Sequence, residues 1–229
     1  PHPRRPRKPG KPVLERLFAM RAGHIAGEQG LLDYDNRAAS FDFQNRFVPL
    51  DFTASNVSLA MSYVPPTAKS QESFHIQAGA QDLNLSRILP RSEVPAVHGV
   101  VRATVDLTQN AAYLRSLELA ARGRDGKDRR LEISGVLEDF SRPSWHSKIA
   151  GDLDMRLLEP VTGYPYTPEG IAHIDLAAIG HDGEFGVDGK VHVDGGAYVG
   201  TGVDERGIEL DAHVHADQAR LLITSIVAR

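Results

Sequence analysis

Apolar and polar residues alternate with period two along most of this chain, the spacing that sends successive side chains to opposite faces of a β-strand. Val101, Ala103, Val105 and Leu107 alternate with Arg102, Thr104 and Asp106. Leu131, Ile133, Gly135 and Leu137 do so with Glu132, Ser134 and Glu138, and Ile149 to Leu157 continues the pattern as one long strand. Phe185 to Val193 and Ile208 to Val214 repeat it near the C-terminus. Between these runs lie Asp/Gly clusters at 123–128, 139–143, 180–183, 195–196 and 204–207. Such residues supply the positive φ that hairpin turns need, so neighbouring strands are expected to be antiparallel.

Two breaks in parity stand out. Leu50, Phe52 and Ala54 are out of step with Val57, Leu59, Met61 and Tyr63, and Phe74 and Ile76 are out of step with Leu83 and Leu85. A one-residue slip turns every later side chain over, which predicts β-bulges near Ser55 and near Gln81. Helix signals are weak. The stretch at 157–169 carries three prolines and predicts a surface loop with at most one short helical turn before Pro160. The fold class read from this pattern is all-β, mostly antiparallel, with at most short helical turns. It is organised as a Pro/Arg-rich linker at 1–12, a β segment at 13–158, a loop at 159–169 and a second β segment at 170–229 continuous with the first. Pro1 and the unterminated strand-like run from Leu221 to Arg229 read as cuts within a longer chain.

Composition narrows the function classes. Hydrophobic residues at 41% exclude a disordered chain, and a net charge of −4 argues against bulk electrostatic binding to nucleic acid. The basic, proline-rich run from Pro1 to Pro12 reads as a tether. With no cysteine there is no disulfide framework, zinc–thiolate site or thiol nucleophile. No nucleophile elbow, phosphate loop, zinc-protease helix or dinucleotide fingerprint occurs, so no catalytic residue and no cofactor is expected. His213 and His215 share a face with Asp211, and His192 with Asp194, a spacing that could hold a metal, but they alternate on the polar face and no metal is expected. Asp152 with Asp154, and Asp204 with Glu205, read as solvated carboxylates and not as a glycosidase pair. Trp145, Tyr164 and Tyr166 read as packing or edge cover. Aromatics are only 7%, low for the core of a sandwich of this length, and the apolar stripe is smooth and long.

The runs AGHIAGEQGLLDY (22–34), VPLDFTASNVSLAMSY (48–63) and LRSLELAARGRDGKDRRLEISGVLEDFSRPSW (114–145) resemble the repeated segments of the TamB and AsmA-like translocation and assembly proteins. The resemblance covers nearly all of the chain after Pro12, and its most specific part is the strand–turn–LEISGxLxDF–strand succession. It implies an elongated, twisted sheet curled into an open apolar groove, β-taco-like, in the periplasm of a diderm bacterium. It further implies an inner-membrane anchor elsewhere in the parent chain and a role in outer-membrane biogenesis and phospholipid transport. An outer-membrane assembly barrel is the implied protein partner in the TamB branch, and phospholipid acyl chains are the implied ligand.

A bare acyl chain of about 16 carbons costs roughly 12 kcal/mol in water, so a transport path has to be unbroken. A dozen strands about 4.8 Å apart would offer roughly 55 to 60 Å of it. The floor expected from the alternation is Val101, Val105, Ile133, Leu137, Ile149, Leu153, Val187, Val191, Leu210 and Val214. On periodicity alone these residues fit the closed core of a sandwich better; the resemblance favours the groove. A scaffold that assists β-barrel assembly or secretion without carrying lipid is the alternative reading.

Overall fold

The computed structural model describes residues 13–36, 50–87, 97–123, 126–157, 167–200 and 203–228. The Pro/Arg linker at 1–12, and Tyr164 and Tyr166, lie outside them. One helix, α1 (Val13–Met20), precedes eleven strands. These are β1 (His24–Asn36), β2 (Leu50–Val64), β3 (Ser73–Arg87), β4 (Val97–Leu107), β5 (Ala111–Arg122) and β6 (Asp128–Glu138). They continue as β7 (Ser144–Asp154), β8 (Thr167–His181), β9 (Glu184–Gly200), β10 (Val203–Asp217) and β11 (Leu221–Ala228). All eleven form a single sheet in chain order, every neighbouring pair antiparallel, with β1 and β11 at its edges. The expected all-β class is therefore correct, and the sheet is an open meander and not a barrel. β7 and β8 pair at every position from Ser144 opposite His181 to Asp154 opposite Ile171, so the sheet is continuous between them; of the loop expected at 159–169, residues 159–166 lie outside the described residues and 167–169 open β8.

Turn chemistry sets the hairpins. Asp182 and Gly183 take φ of 48° and 85° between the closing pair His181 and Glu184, a two-residue turn whose backbone twist matches that of the strands. Asp139 caps the turn between β6 and β7 by accepting hydrogen bonds from the Ser141 and Arg142 amides at 3.0 and 3.2 Å. Gly195 and Gly207, read above as turns, instead form bulges within β9 and β10. Positive φ serves a bulge as well as a hairpin, and only the pairing of 17- and 15-residue strands separates the two.

Both parity breaks are bulges. Asn56 enters positive φ in β2 where the register with β1 shifts, and β3 shifts against β4 between Ala80 and Leu83. The long strand read as Ile149–Leu157 ends at Asp154, and Met155–Leu157 form a 3-10 turn. Asp154 is 2% exposed and accepts the Arg156 amide at 3.1 Å, so this carboxylate closes the strand and is not on a wet surface as expected.

The helix was not anticipated. Leu14, Leu17 and Phe18 fall on one face of α1 at helical spacing, and Arg21 stops it with a φ of 45°. Phe18 packs edge-on against Phe74, ring centroids 5.0 Å apart, and Tyr63 flanks Phe74 from the other side at 5.4 Å. Among the described residues Phe74 is the one large side chain that is fully buried. The remaining buried apolar residues are mostly alanines, which a single layer can cover with neighbouring side chains. Among the described residues no second sheet lies over the first.

Candidate functional site

Residues directly opposite in an antiparallel ladder share a face, so the register maps the sheet's two sides. One row runs from Leu59 through Ala78, Ala103, Leu117, Ile133, Ile149, Leu176, Gly189 and Val214 to Ile223. A parallel row on the same side holds Ala80, Val101, Leu119, Leu131, Gly151, Ile174, Val191 and Ala212. Another holds Ile76, Val105, Leu114, Gly135, Ser147, Ala178 and Val187. Leu137 opposite Trp145, and the line Leu153, Ala172, Val193, Leu210, lie beyond them. All ten expected floor residues thus stand on one face, and each is half-buried. Ser147 is the polar member of three otherwise apolar rows, and Arg129 enters the face at the end where Ala121 sits.

The face carries more than the ten. Leu117 and Leu119 were hidden because a bulge at Arg115–Ser116 breaks the alternation of β5. Ile174 and Leu176 alternate with His173 and Asp175, a signal present in the chain but not among the residues singled out. At its two flanks the face is more exposed, with Leu59 at 47% and Ile223 at 45%.

Glycines let the middle strands coil. Cβ atoms at Gly135 and Gly151 would run into the backbone carbonyls of His146 and Arg130, and one at Gly189 into that of Asp175. Gly151, with φ of 134°, combines that close approach with a backbone that other residues avoid. Trp145 lays its indole over Gly180, its cross-strand partner, as the packing role expected for it requires.

The opposite face is polar and dense with ion pairs. Arg115 donates to Asp106 at 2.6 Å, while Arg102 and Arg130 each lie 3.5 Å from Glu118. His75 meets the same Asp106 at 2.8 Å. Partial burial opposes ionisation of Asp106, but the His75 and Arg115 hydrogen bonds outweigh it and hold its carboxyl below the usual range. Near α1, Glu72 accepts from Tyr63 and Gln109 at 2.6 Å each; the Tyr63 bond comes first in lowering the Glu72 carboxyl, and it raises the phenol in return. His213 and His215 share a face as expected, and both turn to Asp188 at 3.2 and 3.3 Å. Asp204 pairs with Arg206 at 2.8 Å, and Asp152 with His173 at 2.7 Å. Among the described residues no three histidines or carboxylates are arranged to hold a metal ion. None of their helices is long and apolar enough to cross a membrane.

The site is therefore an extended surface: an apolar floor as long as the sheet, backed by a charged exterior. Ten spacings of about 4.8 Å give it a length of about 48 Å. No family model, curated protein or solved structure matches the chain.

Proposed function

We propose that this chain is a segment of a periplasm-spanning bridge, anchored in the inner membrane elsewhere in its parent, that shields lipid acyl chains during phospholipid transport and outer-membrane biogenesis. The observation that carries the reading is the one-sided apolar face running across the sheet, over which the described residues lay no second sheet and which α1 meets at Phe74. A sheet that buried this face in its own core would hold many large apolar side chains fully buried; Phe74 alone reaches that state among the described residues. An exposed apolar surface of this extent marks an interaction site in a soluble setting. An acyl chain is the ligand that uses a continuous, featureless floor, because each methylene it buries contributes about 0.8 kcal/mol without needing a polar partner.

Photo-crosslinkers test it. Placed at Ile149 and Leu153 they capture phospholipid from cells, while at Lys148 and Asp152, on the other face of the same strand, they do not; equal labelling of both pairs refutes the reading. A scaffold that assists assembly of an outer-membrane barrel protein is the second reading, favoured by β11. That strand, last in the sheet among the described residues, is apolar on both faces, with Leu221, Leu222, Ile223 and Val227 each 45% exposed or more. On that reading substitutions in β11 abolish partner capture while charges in the floor leave it intact.

A further inference from the structure

The polar face changes its chemistry halfway across the sheet. On β3–β6 arginines pair most of the carboxylates, with His75 joining Arg115 on Asp106; on β7–β10 histidines pair most of them, beside Lys148 on Asp175 and Arg206 on Asp204. Asp152, His173, His192 and Asp211 are consecutive cross-strand partners in one row. His173 places Nδ1 2.7 Å from Asp152 Oδ1 and Nε2 3.0 Å from Asp194 Oδ2. His192 places Nδ1 2.7 Å from Asp211 Oδ1 and Nε2 2.7 Å from Asp194 Oδ1. Each ring thus has a carboxylate oxygen within hydrogen-bond distance of both its nitrogens, an arrangement that suits an imidazolium, the form that carries two N–H groups. The two rings stack at 5.8 Å with 25° between their planes. Three carboxylates surround the stacked pair.

We propose that His173 and His192, sharing Asp194, form a proton-operated clasp that ties β7, β8, β9 and β10 together while both rings are imidazolium and releases them when a ring nitrogen loses its proton. The neighbouring row repeats the device more loosely, with His213 and His215 both on Asp188. β6 faces the clasp with Arg130, next to the Leu131–Gly151 pair, and with Glu132 opposite Ala150, and β7 also carries His146 on this face. β7 contributes Lys148, Asp152 and the buried Asp154, and β8 contributes Asp175, which pairs with Lys148 at 3.4 Å. β9 contributes Asp188, Lys190 and Asp194, and β10 contributes Glu209, Asp211, His213 and His215. β11 meets the row with Thr224 and Leu222 and adds no charge.

The sign follows from both partners. Asp211 first, then Asp194, hold the His192 imidazole above its usual range. Stability from it is therefore full below the unfolded value of about 6.5 and is lost as pH rises through the raised folded value. His192 and then His173 lower Asp194, and His213 and then His215 lower Asp188. Those contributions are full above the unfolded value of about 3.9 and are lost as pH falls through the depressed folded ones. The clasp is closed between about pH 4 and about pH 6.5 and opens toward alkaline pH. It does not depend on what occupies the apolar face.

Because the groups are exposed and single exposed pairs contribute little, the decisive readout is the protonation itself. In the full chain at about pH 5.5 the ring nitrogens of His173 and His192 are expected to show imidazolium nitrogen-15 shifts, and on raising the pH to about 8 amide protection in β8 and β9 falls about tenfold against β5 and β6 as internal reference. Asp194→Asn is expected to remove that difference. Rings that are neutral single tautomers at about pH 5.5, or protection that is equal in both halves at every pH, overturn the proposal. The wild-type spectra decide the matter even where a variant fails to fold.

Discussion

Single residues separate a trough that is built from one that is merely permitted. Gly151 sits at φ 134° with the Arg130 carbonyl where a Cβ would go, so Gly151→Ala is expected to lower unfolding free energy by about 1–3 kcal/mol. The urea midpoint should drop with an unchanged slope. At Gly180 the obstacle is a side chain, the Trp145 indole, and not backbone. Gly180→Ala and Trp145→Ala should therefore be non-additive: the alanine at 180 costs less once the indole is gone, a coupling that a double-mutant cycle measures directly. Phe74, at 0% exposure beneath Phe18 and Tyr63, is the position where truncation to alanine costs about 3–5 kcal/mol. Ile149→Ala, on the half-buried floor, costs less than Phe74→Ala in the same denaturant titration, because part of its surface is in contact with solvent.

At the scale of elements, alternation was an adequate guide wherever a strand runs without a bulge. β4, β6 and the central part of β9 could be drawn from the spacing of Val101, Ile133 and Val187 alone, because one wet face and one dry face force a strict period of two. The parity slips near Ser55 and Gln81 were equally readable, since a bulge is what a slip requires. What could not be read was which glycine makes a turn: Gly183 closes a hairpin, while Gly195 and Gly207 sit inside strands, and all three have positive φ. α1 was missed because its eight residues hold only two helical turns, and its reason to exist is the distant Phe74. The ten floor residues share one face, as their alternation requires, but the imidazole–carboxylate row is legible in the chain only as two isolated pairs, since His173 and His192 meet through strand register and not through sequence. The edge strand β11 supplies a prediction of its own. Leu222→Lys places a charge on an open, two-sided apolar edge and is expected to lower self-association in light scattering without lowering the thermal midpoint.

For the whole molecule, the question is what an eleven-stranded sheet gains by staying open. A floor of about 48 Å exceeds what any one acyl chain needs, so under the proposed function successive chains share it or one travels along it. Replacing Ile149 by Glu sets an unpaired carboxylate in the middle of that path. It is expected to reduce lipid captured at Leu153 severely, with circular dichroism unchanged because the position is half-exposed. The order of the strands carries a further consequence. Since each strand pairs only with those next to it in the chain, nothing in the sheet closes on itself, and no contact counts how many strands there are. Removing residues 108–137 would put Leu107 where Leu137 stood, in front of the turn to β7, with direction and facing preserved. Such a chain is expected to fold cooperatively and to measure shorter by about 9.6 Å in X-ray scattering, two strand spacings. Length in this architecture is thus an inheritable integer: a duplication or loss of one hairpin resets the distance the protein can reach, in even steps, while leaving the surface it offers unaltered.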